Sequence, residues 1–164
     1  MSGPVQLRGL LTAGALSLSA LTAAGPLGPS VSRAAARSAL AARTISLNET
    51  GRLHLTSKHN FTLNEQGSAS GTIAGTIYVH LTAVSTSRVT AEVNIYRSGG
   101  SISGTGAAGY RRVGAIASFS GGLSIGRGTG NCSHVRGSGV SFSGTIQESR
   151  DDAITVHVSG RVSG

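Results

Sequence analysis

The chain has 164 residues, with 25 glycines, one cysteine, no tryptophan and a formal net charge of +8. That length holds one domain. A single cysteine excludes an internal disulfide framework. No block of Lys and Arg interleaved with aromatics is present, so no nucleic-acid partner is expected.

Met1–Arg8 is a short head ending in a positive charge, and "GLLTAGALSLSALTAAG" (9–25) is an uncharged apolar run. It has the length of a signal-peptide core and is short for a membrane span, which needs about 20 apolar residues. "PLGPSVSRAAARSALAAR" follows, with a small-x-small site at Ala39-Leu40-Ala41. Residues 1–42 therefore read as signal peptide and spacer, with a retained membrane anchor and tether as the alternative. Export to the medium or the cell envelope is expected, with no stable membrane span after processing. Arg8, Arg33, Arg37 and Arg43 lie in or at the end of this segment, while all six acids lie beyond it. The remaining ten basic residues against six acids bring the domain near +4.

From residue 43 the period is that of strands, beginning with "GRLHLTS" and "NFTLNEQG". In "TIAGTIYVHLTAV" (72–84) Ile73, Ile77, Val79, Leu81 and Ala83 share one face. In "RVTAEVNIY" (88–96) Val89, Ala91, Val93 and Ile95 do the same. Two-residue alternation with β-branched side chains predicts strands. The apolar faces match only if the hairpin loop, Ser85-Thr86-Ser87, holds an odd number of residues. Leu81 then opposes Ala91, Val79 opposes Val93, Ile77 opposes Ile95, and His80 opposes Glu92 on the polar face.

Next comes a weak internal repeat. "SISGTGAAGYRRVGAIASFSG" (101–121) and "SIGRGTGNCSHVRGSGVSFSG" (124–144) share Ser-Ile at the start, Ser-Phe-Ser-Gly at the end and Gly-Thr-Gly between. A repeated hairpin unit suits an antiparallel barrel or a propeller, and two units make no propeller. "GTGAAG" (104–109) satisfies G-x-G-x-x-G but lacks the following helix and acidic residue of a nucleotide loop, so it reads as a bend between strands. "VSFSGTI" (140–146) and "AITVHVSGRV" (153–162) close the chain as a hairpin around "QESRDD". The expectation is an all-β fold: one antiparallel barrel of about eight strands over 43–164, with frequent glycines at its corners. Sixteen side chains are expected inside: Ile73, Ile77, Val79, Leu81, Val89, Val93, Ile95, Ile102, Phe119, Ile125, Val140, Phe142, Ile146, Ile154, Val156 and Val158.

Little in this pattern carries chemistry. The five histidines lack zinc spacing, so neither a metal site nor a cofactor is expected. Cys132 and His134, two apart on an extended segment, would face the same way, as a thiol–imidazole nucleophile requires; a buried or idle thiol is the plainer reading. Arg111, Arg112, Arg127 and Arg136 fall in the two repeat units and would line one mouth, where guanidinium groups bind carboxylates bidentately.

"GTGNCSHVRG" (128–137) resembles the Gly-Thr-Gly, five residues, Arg-Gly segment of dirigent proteins, whose barrel plant allene oxide cyclases share. Gly128, Thr129, Gly130, Arg136 and Gly137 agree; Asn131-Cys132 replaces the usual basic–aromatic pair. Residues 52–163 also look like small exported bacterial proteins of that barrel class. The resemblance implies a barrel that holds a reactive small molecule in shape, steering coupling of phenols or ring closure. The expected ligand is apolar or phenolic and sits at the mouth formed by "GYRR" and "GRGTGNCSHVRG". Tyr110, Arg112, Arg127, Gly128, Thr129, Gly130, Cys132, His134 and Arg136 would surround it, with Arg136 orienting it. The alternative is a non-catalytic exported or envelope module with a side-chain-filled barrel. A third reading is adhesion to polyanions through the arginines.

Overall fold

The structure is a computed structural model that describes residues 43–164; the expected signal peptide and spacer lie outside the described residues. Eight strands follow in chain order: β1 Thr44–His59, β2 Thr62–Gly71, β3 Gly75–Ser85, β4 Arg88–Arg97, β5 Gly100–Val113, β6 Ile116–Gly130, β7 Gly137–Gln147 and β8 Ala153–Ser163. Each pairs antiparallel with its neighbours in sequence, and β8 returns to β1, so the barrel closes. Closure leaves no open edge.

The alternation of the sequence becomes the two faces of the wall. All sixteen residues expected inside are buried, and Leu47, Leu53, Leu123, Val135 and Val162 join them. Thr, Ser, Arg and His side chains turn outward, the inverse of the apolar exterior of a lipid-spanning barrel. In the β3–β4 hairpin Leu81 opposes Ala91, Val79 opposes Val93 and Ile77 opposes Ile95, as the faces require. The loop itself is tighter than expected. Ser85 pairs with Arg88, and Val84 is an extra residue that bulges out, which preserves the register.

The two repeat units end in equivalent phenylalanines, and their rings meet inside the barrel with centroids 4.9 Å apart. Gly144 makes room for that contact, since a β-carbon there would lie 2.4 Å from the Phe119 ring. The glycines of 126–144 are thus only in part the corners the sequence predicts. Gly130 and Gly139 take positive φ of 54° and 66°, but Gly128 and Gly144 are places where another group comes too close. The segment 104–109 is no bend either. It runs through the middle of β5, paired to β4 and β6 on both sides.

An up-and-down barrel has two ends. One, the terminal end, carries the start of β1, the end of β8, the turns 72–74 and 98–99, and the loop 131–136. The other, the hairpin end, carries the turns 60–61, 86–87, 114–115 and 148–152.

Candidate functional site

The residues expected at one mouth divide between the two ends. Tyr110 pairs with Phe119 near the hairpin end, whereas Ser101 pairs with Thr129 at the terminal end. Nine residues of β5 separate those pairs, about 30 Å at roughly 3.3 Å per residue. Tyr110, Arg111 and Arg112 therefore share no mouth with Arg127 and Arg136. Strand direction explains the error, since positions equivalent within the repeat do not fall at equivalent heights.

The terminal end is shut. The loop 131–136 folds over it, with Asn131 N–H donating to the Gly99 carbonyl at 2.8 Å and Arg136 exchanging backbone hydrogen bonds with Ser163 at 2.9 and 2.7 Å. The Arg136 guanidinium is engaged within its own loop. It donates to the carbonyls of Ser133 (3.0 Å) and Val135 (2.7 Å), so it holds its own loop in place. Cys132 and His134 lie in a turn, not on an extended segment: the thiol is buried in the core and the imidazole is exposed, so they make no nucleophilic pair. Gly128 fits the same packing, for a β-carbon on it would stand 1.8 Å from the Cys132 carbonyl oxygen.

Arg127 and Thr129 lie on the outer wall. They line a groove of about 990 Å³ across β4, β5 and β6 with Glu92, Tyr96 and a row of serines and threonines. The Thr129 hydroxyl is 2.7 Å from that of Ser101 and accepts the Ser101 N–H at 3.1 Å, so it is already engaged. On the same polar exterior His80 opposes Glu92 in register but hydrogen-bonds Asn64 instead, while Glu92 accepts from Asn94. No group of three metal-ligating side chains converges among the described residues.

The hairpin end is open. A recess of about 170 Å³ enters the barrel there, walled by Phe61, Leu63, Leu81, Val89, Tyr110 and Ile146. Charges gather at its rim, where Lys58 pairs with Asp152 at 3.3 Å and Arg112 pairs with Glu148. One layer below Leu63 on β2 the inward position is Glu65, only 1% exposed, with neither carboxyl oxygen hydrogen-bonded to the protein. Burial pushes its pKa up to about 8, and the charge of Asp152 on the rim pushes the same way. Glu65 is therefore a neutral acid at pH 7, with an O–H to donate.

The barrel holds a second inward acid, Glu49 on β1, also 1% exposed. One of its oxygens accepts the Ile73 N–H at the β2–β3 turn. Burial raises its pKa, and the backbone amides of Ile73 and Thr72 act against that. Sequence reasoning missed both acids. Their only signal was position, since each sits at the apolar beat of an alternating strand.

The recess has a small apolar lining, a tyrosine on its wall, one unpaired acid a layer beneath it, and a volume of about one ring. A recess of roughly 150 Å³ admits benzene. No family model, curated protein or solved structure matches this chain.

Proposed function

We propose that the barrel binds one small, largely apolar molecule bearing an oxygen acceptor, of the phenol or carbonyl class, in the recess at the hairpin end. The reading keeps the ligand class implied by the resemblance to dirigent proteins and allene oxide cyclases and moves the site from the terminal end. Export to the medium or the cell envelope belongs to the same proposal. Glu65 carries it. A buried carboxylic acid left without a partner costs about 1–3 kcal/mol, and here it lies one layer beneath an apolar recess. Glu65 is not among the residues that wall the recess, so a ligand oxygen would accept its proton only by pressing past Leu63, while Phe61 and Tyr110 hold the ring. A neutral acid at pH 7 can also lend a proton to a developing enolate or phenolate, which is how the site would steer a cyclisation or coupling.

The second reading, a non-catalytic exported or envelope module with a side-chain-filled barrel, draws support from the barrel's middle, where Ile77, Val79, Val140, Phe142 and Val156 leave no lumen. Amide shifts in a titration separate the two. With 4-methylphenol, shifts are expected at Phe61, Leu63 and Tyr110, with affinity about tenfold above that for toluene, the equivalent of one hydrogen bond. Glu65→Leu should erase the preference and leave toluene binding intact. Shifts absent at millimolar ligand, or confined to the terminal end, would reject the ligand site.

A further inference from the structure

Five large apolar side chains are exposed on the described barrel, and four of them stand at the hairpin end. Phe61 is 76% exposed on the 60–61 turn, Val84 60% beside the 86–87 turn, and Val113 and Ile116 65% and 52% on either side of the 114–115 turn. The fifth, Tyr96, lies on the outer wall toward the terminal end, edge-on against Tyr78 and paired with Ser101. The turns and loop of that end expose none: Ile73, Cys132 and Val135 all fold into the core. Cations accompany the apolar tips. Arg88 follows the 86–87 turn, and Arg111 and Arg112 precede the 114–115 turn; no acid lies within 83–90 or 108–118. Arg88 and Arg111 form no ion pair among the described residues.

We infer that the hairpin end docks on an anionic lipid bilayer, with Phe61, Val84, Val113 and Ile116 entering the headgroup layer and Arg88 and Arg111 meeting lipid phosphates. Two features select this occupant. The apolar groups stand on separate turns around an open recess, whereas a stable protein partner needs a continuous face of roughly 800 Å². A fluid headgroup layer fills the gaps between such tips. The unpaired charge at this end, Arg88, Arg111 and Arg150 against Asp151, is net positive and complementary to anionic lipid, and two weak signals together are what stable peripheral binding requires. The inference shares Phe61 with the ligand proposal but uses neither Glu65 nor an occupied recess, and its test positions, Val113, Ile116, Arg88 and Arg111, lie outside the recess lining.

The chain contains no tryptophan, so one introduced indole reports one place. Full-length protein carrying Val113→Trp is mixed with vesicles of phosphatidylcholine and phosphatidylglycerol, three to one, containing brominated acyl chains; His134→Trp serves as the terminal-end control. Quenching and a blue shift are expected for Val113→Trp only, weaker at 0.5 M NaCl. Affinity should fall about fivefold for each of Arg88→Ser and Arg111→Ser. Ile116→Trp repeats the measurement in case the first variant folds poorly. The inference is overturned if neither tip is quenched or if both ends are quenched alike. A concentration-dependent blue shift without vesicles overturns it as well, since the face would then belong to a second copy of the chain.

Discussion

The two ends of this barrel are built from the same wall and meet the same problem, an inward glutamate on neighbouring strands, yet they resolve it differently. At the terminal end the chain returns over the opening: Cys132 and Val135 drop into the core, and the amide of Ile73 reaches the Glu49 carboxyl. At the hairpin end the short turns reverse at the rim and send no backbone amide inward. Glu65 stays unpaired, and apolar side chains stand outside at three of the four turns. What differs is the partner each acid finds: the inward-folded Ile73 of the 72–74 turn gives Glu49 an amide, whereas no turn of the hairpin end gives Glu65 one.

The sharpest way to break this comparison is to make one substitution at both places. Glu49→Leu strands the buried Ile73 N–H and should cost about 2–4 kcal/mol. Glu65→Leu removes an unpaired carboxyl in exchange for apolar surface of similar volume and should stabilise the fold by about 1–3 kcal/mol. Urea unfolding at pH 7 measures both. Equal losses would mean that Glu65 is fastened too, and the contrast between the ends would disappear.

Acidity sharpens the contrast further. A carboxyl with a folded pKa of about 8 and an ordinary unfolded value near 4.3 binds more protons folded than unfolded between those limits. Its contribution to stability is full below the unfolded value and is lost as pH rises through the folded one. The slope is at most about 1.4 kcal/mol per pH unit between roughly pH 5 and 8. Wild-type protein should lose stability over that window, and Glu65→Leu should flatten most of the loss. If the slope survives the substitution, the raised acid is elsewhere.

Strand identity and facing were legible because β-branched residues alternate strictly in β3, β4, β7 and β8, and a register error there would bury threonine. Height along the barrel was not legible. Tyr110 and Arg127 lie in units that look alike, but antiparallel strands carry them toward opposite ends. The buried acids were hidden by the assumption that polar residues face out, although Glu65 opposes Leu55 and Val79 on the inward beat. The Gly-Thr-Gly run and Arg136 drew notice as a binding motif. Their partners, the Cys132 and Val135 carbonyls, are backbone groups that no side-chain pattern announces.

Arg136 gives the smallest effect and separates fastening from recognition most directly. Its guanidinium spans two carbonyls of an exposed loop, so Arg136→Ala should cost about 1 kcal/mol, the net worth of a partly solvated pair of hydrogen bonds. Amide exchange should quicken in residues 131–135 and stay unchanged at the 60–61 and 114–115 turns. Binding of 4-methylphenol should hold its wild-type affinity, because the loop lies a barrel's length from the recess. A tenfold loss of that affinity with loop exchange unaltered would return the site to the terminal end and make Arg136 a ligand contact after all.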